Sequence, residues 1–238
     1  MGFASVQVLL FDLDGCLLGL DIGEFAPVYR KAVARRFSPY IEPERMLEAI
    51  LYAESMMMAP PATREYQTIE AVYFSALRAF TGLAEDVLRE TVRVFYEVDM
   101  PALGGMAEAL PEAQRLLTSA VDRGYRIALA TNPIFPRPGI RERMRWAGIE
   151  SFPFELITTW EFMHASKPYP EYYQEVARIL GVDPGECLMV GNDAQHDMAA
   201  SVVGMQTYLV TGPYLDDRGF PRYEPSYSGS LAELAALL

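Results

Sequence analysis

The strongest constraint on the fold is a rhythm. Short apolar, β-rich runs at residues 6–11, 126–130, 155–160 and 187–190, with a fifth at 207–210, recur along the chain, and helical stretches separate the later ones. Pro111 suits a first helical position, since the N–H it lacks would go unpaired there anyway. Ala113, Leu116, Leu117, Ala120 and Val121 then share one face until Gly124 ends the pattern. A second helix follows Pro170, with Tyr173, Val176, Ala177 and Leu180 apolar and Gly181 just past its end. Strands alternating with helices need right-handed crossovers, which give a parallel sheet covered on both faces. The expected fold class is α/β, a doubly wound parallel sheet.

Residues 25–97 break that rhythm: helix-like patterns at 28–37, 43–58, 68–81 and 85–96 follow one another with no strand between them. This stretch reads as an inserted, all-helical unit. The run Met56, Met57 and Met58 within it reads as core filler, because methionine packs into irregular gaps. Near the end, the turn-rich residues 212–230 read as a long surface loop ahead of a short helix at 231–237.

Charge and composition narrow the partners. The 238 residues carry 20 Lys and Arg against 32 Asp and Glu, a net charge of −12. Nucleic-acid affinity is mostly cationic neutralisation of phosphates, so no nucleic-acid partner is expected. A hydrophobic fraction of 51% excludes a disordered acidic chain. No apolar run approaches the ~20 residues of a membrane span, and no basic region followed by an apolar stretch marks the start of the chain. The two cysteines, Cys16 and Cys187, make neither a disulfide framework nor a zinc cluster. The expectation is a soluble, cytoplasmic protein with no membrane partner.

The chemistry-bearing residues gather at strand ends. In Leu9-Leu10-Phe11-Asp12-Leu13-Asp14-Gly15 an apolar strand runs into two carboxylates and a glycine. Ligands of parallel α/β sheets sit beyond the carboxyl ends of the strands, so acids placed there are candidates for catalysis. Thr131 and Asn132 close the second strand, Lys167 follows the third between Ser166 and Pro168, and Gly191-Asn192-Asp193-Ala194-Gln195-His196-Asp197 follows the fourth. Taken singly, each is ordinary: an Asx turn, a Thr-Asn-Pro turn, a surface lysine, a helix start with a first-turn acid.

The ordered set is not ordinary. A carboxylate pair, a hydroxyl, a lysine and a second carboxylate pair, each at a strand end, resemble the four motifs of the haloacid dehalogenase (HAD) superfamily of phosphohydrolases, over about residues 5–22 and 105–238. More than a hundred residues separate Gly15 from Ala130, room for a helical cap, whereas the 34 between Asn132 and Lys167 accommodate one helix and one strand. The resemblance implies a HAD-like Rossmannoid core of residues 1–22 and 98–238 with a helical cap at 23–97.

It also implies roles. Asp12 would attack phosphorus and become an aspartyl phosphate. Mg2+ would be held by Asp12, the Asp14 backbone carbonyl and a residue of the last motif. The Asp14 carboxyl would protonate the leaving alkoxide and later deprotonate water. Thr131 and Asn132 would bind the phosphate, and Lys167 would hold the charge of Asp12 and of the phosphate. For the last metal ligand the reading prefers Asp193, since a hard cation favours charged oxygen, with Asn192 the alternative. Asp197 would stand behind the ligands or reach the ion through a water.

Two positions depart from the family pattern: Cys16 stands where Thr is usual, and Asn192 where Asp is commoner. His164 and His196 read as surface groups or as groups standing behind the ligands, and Trp160 as core. Glu24, Tyr29, Arg30 and Arg64 are the candidates for reaching the substrate from the cap. The expected activity is Mg2+-dependent hydrolysis of a small phosphorylated metabolite. A dehalogenase would leave Asp14 idle, because halide departs without a proton. A phosphonatase would require a cap amine, and Lys31 is the only lysine between Asp14 and Thr131. A phosphomutase on the same core and a catalytically silent binding module stay open.

Overall fold

The computed structural model describes Phe3 and residues 5–63 and 67–238. In chain order its elements are β1 (Val8–Phe11), β2 (Leu18–Gly19), α1 (Ile22–Arg36), α2 (Pro43–Met57), α3 (Ile69–Thr81), α4 (Glu85–Val94), β3 (Glu108–Ala109), α5 (Pro111–Asp122), β4 (Arg126–Leu129), α6 (Arg137–Ala147), β5 (Leu156–Ile157), α7 (Pro170–Leu180), β6 (Cys187–Gly191), β7 (Gln206–Val210), β8 (Tyr227–Gly229) and α8 (Leu231–Leu237). Six of the strands form one sheet in the order β5-β4-β1-β6-β7-β8, with every pairing parallel.

β1 lies inside the sheet, its residues Val8–Phe11 opposite Arg126–Leu129 on one side and residues 187–190 on the other. All four of its side chains are buried because both faces are covered. Leu9 and Phe11 join the apolar cluster of α5, α6, α8 and the helices between β2 and β3, while Val8 and Leu10 pack with α7. The chain runs from β1 to β4 and β5 on one side, then returns to β6 and β7 on the other. That reversal opens a crevice beyond the carboxyl end of β1.

The helical stretch between β2 and β3 is longer than the apolar periodicity indicates. α1 starts at Ile22, not near residue 28, because Oδ1 of Asp21 caps it, accepting from the amides of Gly23 (2.8 Å) and Glu24 (3.3 Å). Pro27 then sits inside the helix, where a reading from sequence takes a proline as a boundary. At the other end α4 continues into a π-helical turn, Phe95–Asp99, and a 3-10 turn, Met100–Met106. Met46, Ala49, Ile50, Ala53 and Met57 of α2 lie buried at helical spacing in the same apolar cluster as Leu9 and Phe11. Met46, Ile50 and Met57 each contribute about 1.5–3 kcal/mol on burial, and the two alanines less. Met57 is core as expected, but Met58 is only half-buried, and its Sδ lies 3.5 Å from Nδ2 of Asn132.

Three strand features differ from expectation. β5 stops after two residues because the Thr158 hydroxyl turns to the Thr131 carbonyl (2.6 Å) and the chain leaves the sheet. β8 adds an edge strand where a loop was expected; Tyr-Ser-Gly carries no apolar alternation to betray it. β2 and β3 form a two-residue antiparallel pair, too short for any period to register.

Candidate active site

At the end of β1 the backbone stays in the sheet for one more residue: the Asp12 amide donates to the Val190 carbonyl at 2.9 Å. The chain then turns, with the Leu18 amide donating to the Leu13 carbonyl and the Gly15 amide to the Leu18 carbonyl, both at 2.8 Å. Gly15 has φ +83°, and a Cβ there would stand 2.3 Å from Nδ2 of Asn192, so both backbone and neighbour require glycine. Cys16 fits the turn without loss: its thiol is fully buried and donates to the Val190 carbonyl at 3.7 Å.

Asp12 faces Lys167. The Lys167 ammonium, 1% exposed, donates to Oδ1 of Asp12 at 2.8 Å and to Oδ1 of Asp197 at 2.5 Å. Oδ2 of Asp197 in turn accepts from the Asp193 amide at 3.0 Å, which fixes the carboxylate against the backbone. Gly191 makes this possible, because a Cβ there would lie 2.1 Å from that oxygen. Burial pushes Asp12 up to about 6, Lys167 pulling it down and Asp197 adding to the rise. Burial alone would lower the Lys167 ammonium, but the two carboxylates outweigh it and hold it well above its usual range.

Thr131 and Asn132 sit where β4 ends. The Thr131 carbonyl accepts from the hydroxyls of Thr158 (2.6 Å) and Tyr172 (2.9 Å), while its own hydroxyl has no partner among the described residues. Oδ1 of Asn132 accepts from the Lys167 amide at 3.3 Å and its Nδ2 meets Met58. Asn132 thus ties the lysine loop to the end of α2.

Asp14 pairs with a residue that the motifs do not include. Its Oδ2 accepts from Nη1 of Arg143, a fully buried arginine on α6. The guanidinium stacks 3.9 Å above the Phe135 ring, and its Nε donates to the Gly139 carbonyl at 3.3 Å. Oδ1 of Asp14 and Nη2 of Arg143 are both buried without a hydrogen-bond partner. Burial pushes Asp14 up to about 6 although Arg143 pulls it down. The sequence holds a signal for Arg143: it follows Gly139 by four residues and sits beside Met144 and four residues before Ala147, on the helix face that also buries Ile140.

In the last motif, Asp193 and Asn192 differ in how far their side chains are engaged. Both oxygens of Asp193 are engaged within its own turn: Oδ1 accepts from the amides of Gln195 and His196, each at 2.7 Å, and Oδ2 meets Nδ1 of His196 at 2.7 Å. Burial works against the Asp193 charge, but His196 prevails and holds the carboxyl below its usual range. Asn192 is buried, with Nδ2 donating to the Tyr214 carbonyl at 2.7 Å and Oδ1 left unpartnered. Asn192 and Asp14 line one cavity of about 300 Å³, shared with Asp21, Tyr214 and Asp216. Asp197, expected behind the ligands or reaching the ion through a water, has its oxygens bound to Lys167 and the Asp193 amide.

Other candidates stand apart from this cluster. His164 pairs with Glu175 at 2.7 Å. Trp160 is core, packed against the rings of Tyr73, Phe74 and Tyr96. Among the proposed cap contacts, Glu24 is exposed, Arg30 is paired with Glu54 at 2.7 Å, and the buried Tyr29 hydroxyl meets that of Tyr96 at 2.5 Å. Arg64 lies outside the described residues. Among the described residues no three of His, Cys, Asp and Glu gather closely enough to hold a metal ion. Among the described residues no helix is long and apolar enough to cross a membrane.

A parallel α/β sheet with two carboxylates at the end of its inner strand and a buried lysine opposite defines a hydrolase-type centre. Residues 6–202 match the model of the haloacid dehalogenase-like hydrolases, and the chain belongs to that family. Among curated relatives it is similar to the pyrophosphatase PpaX of Bacillus pumilus, 28% identical over 95% of this chain and 93% of the relative. Among solved structures it is similar to a HAD phosphatase from Thermococcus onnurineus (TM-score 0.60, 21% identity, covering 98% and 97% of the two chains). A similar match is the L-2-haloacid dehalogenase of Xanthobacter autotrophicus (TM-score 0.57, 16% identity, covering 98% of each).

Proposed function

We propose that this hydrolase is a phosphatase acting on a small phosphorylated metabolite, with Asp12 as its nucleophile. The observation that carries this reading is the Asp12 carboxylate held by Lys167 at 2.8 Å through one oxygen only, with a second acid, Asp14, two residues further along the same strand end. Hydrolysis of a phosphate ester requires a nucleophile that approaches a dianion and a proton for the alkoxide that leaves. Lys167 fixes Asp12 and offers positive charge to the phosphoryl group, and the unpartnered Thr131 hydroxyl donates to one of its oxygens. Attack by Asp12 forms an aspartyl phosphate while Asp14 delivers its proton to the leaving oxygen; Asp14 then takes a proton from the water that cleaves the intermediate.

The donor set suits a hard divalent cation. An oxygen of Asp12, the Asp14 backbone carbonyl and the unpartnered Oδ1 of Asn192 would hold Mg2+, with waters completing its shell. When bound, the ion neutralises the repulsion between Asp12 and the phosphoryl oxygens. In this reading Asn192 takes the place that the sequence preferred for Asp193, whose oxygens are already committed. Residues 23–97 form the cap over a core of 1–22 and 98–238, and the helical turns as far as Met106 lead back to it.

The likeness to dehalogenases is one of fold, and Asp14 weighs against that chemistry, because a departing halide takes no proton. The test is phosphate release, with and without Mg2+, from pyrophosphate, sugar phosphates, nucleotides, phosphoglycolate and phosphoamino acids, with 2-chloropropionate as the dehalogenase control. Asp12→Asn is expected to lower turnover of the best substrate by about 10⁴-fold or more while circular dichroism stays unchanged. Near wild-type turnover in that variant would remove Asp12 as nucleophile, and transfer of the phosphoryl group to a second sugar hydroxyl would make the protein a mutase.

A further inference from the structure

We infer that Arg143 is a positioning residue for Asp14, and that it assigns the proton transfer to one oxygen of that carboxylate, Oδ1. The inference rests on the phosphatase reading given above.

A carboxyl that serves first as acid and then as base gains and loses a proton within one turnover. Were the same oxygen to carry both the proton and the ion pair, the pair would break twice per cycle. The geometry separates the two tasks. Oδ2 of Asp14 is bound to Nη1 of Arg143, and Oδ1 is buried with no partner. A proton on Oδ1 leaves Oδ2 free to accept from Arg143, so the contact persists in both protonation states. In the first step the Oδ1 proton passes to the leaving oxygen as its bond to phosphorus breaks. In the second, a water proton passes to Oδ1 as the oxygen of that water bonds to phosphorus and the Asp12 acyl phosphate bond is released.

Arg143 is itself held in place. Its guanidinium lies 3.9 Å above the Phe135 ring, its Nε reaches the Gly139 carbonyl, and no part of the side chain is exposed. Gly139 is in turn pinned, since a Cβ there would stand 2.6 Å from the Tyr96 ring. A helix on the core, α6, and an aromatic from the helical insert therefore fix the arginine that aims Asp14. A planar fork stacked on a ring gives a direction that a lysine ammonium does not supply.

The experiment separates aiming from mere stability. Arg143→Lys and Arg143→Met, in the full chain with Mg2+, are assayed on glycerol phosphate and on p-nitrophenyl phosphate. Misplacing a reacting group by about 1 Å costs on the order of 100-fold, so kcat on glycerol phosphate should fall about 30- to 100-fold in both variants. The nitrophenolate leaves without a proton, so the burst of nitrophenolate that reports formation of the aspartyl phosphate should slow less than about threefold, while the second step, which needs Asp14 as base, slows with either substrate. In the Asp14→Asn background, Arg143→Lys should add almost nothing on glycerol phosphate. Equal slowing of the first step on the two substrates in the soluble variants, or additive losses in the double variant, would overturn the assignment and leave Arg143 a structural residue. If Arg143→Met does not fold, Arg143→Lys decides alone, because it keeps the charge. Absence of phosphate release by the wild-type protein from both substrates and from every substrate of the panel above would overturn the phosphatase reading itself, and this inference with it.

Discussion

On one side of the Asp12–Asp14 loop, Lys167 donates to Asp12 and Asp197, and Asp197 accepts from the Asp193 amide, so a chain of hydrogen bonds closes on the backbone. On the other side, Asp14 Oδ1, Arg143 Nη2 and Asn192 Oδ1 are buried with no partner, three of the five such side-chain atoms among the described residues. Buried polar atoms without partners cost stability, commonly about 1–3 kcal/mol each, and folding alone gives no reason to keep them. Folding closes the first side and leaves the second for what binds. The Lys167 side is closed by folding except for the second oxygen of Asp12. The Asp14 and Asn192 side offers one carboxylate oxygen and one neutral amide oxygen, from residues that line the same cavity.

The comparison breaks first at Lys167. Replacing it with methionine leaves Asp12 and Asp197 buried around an uncharged chain, and removing one partner of a buried pair costs about 3–5 kcal/mol. The expected outcome for Lys167→Met is a loss of that size in urea unfolding, together with loss of turnover. A loss under 1 kcal/mol would show that this side is not the rigid half.

Asp14 sharpens the contrast through pH. Burial raises its folded value to about 6 from the usual 3.8. The folded state therefore takes up a proton as pH falls through 6, while the unfolded chain waits until near 4. The carboxylate costs stability above pH 6, and that cost disappears as pH falls towards 4. Asp14→Asn lacks the titration, and whatever it loses by leaving Arg143 without a carboxylate does not vary with pH. In EDTA, the stability of Asp14→Asn relative to wild type should therefore rise between pH 4 and pH 6.5 and then level off, by up to about 3 kcal/mol. A difference that stays flat, or that falls, would show that Arg143 fully compensates the buried charge.

Much of this centre was legible because it is written at strand ends. The alternation of apolar runs and helices fixes the parallel sheet, and the order of Asp12, Thr131, Lys167 and Asp197 places four of its strand ends around one crevice. Arg143 escaped because an arginine inside the apolar face of a helix reads as an interruption of the pattern, and its partner lies 129 residues earlier in the chain. The start of α1 escaped for a local reason: Pro27 outweighs in sequence a cap at Asp21 that decides in structure. The split between Asn192 and Asp193 could not be read at all, since alternation along a strand says that the two side chains diverge but not which one turns inward.

The smallest expected effect decides that split. Asn192 presents an oxygen with no partner beside Gly15, and Asp193 spends its carboxylate on the amides of Gln195 and His196. If Asn192 holds the ion, Asn192→Ala removes one oxygen from its shell and should raise the Mg2+ concentration for half-maximal activity by about tenfold or more. Calorimetric titration of the protein with Mg2+ should show the same weakening with no substrate present. Asp193→Ala should change the Mg2+ requirement less than about threefold, yet lower stability by about 1 kcal/mol, as loss of a capping side chain does. Asn192→Asp extends the test in the opposite direction, because it adds the charge that a hard cation prefers and should tighten Mg2+ binding. The reverse order, with Asp193→Ala the more damaging to Mg2+ affinity, would mean that the bonds to His196 and the two amides open when the ion binds, and that the neutral asparagine serves only to brace the Asp12–Gly15 turn.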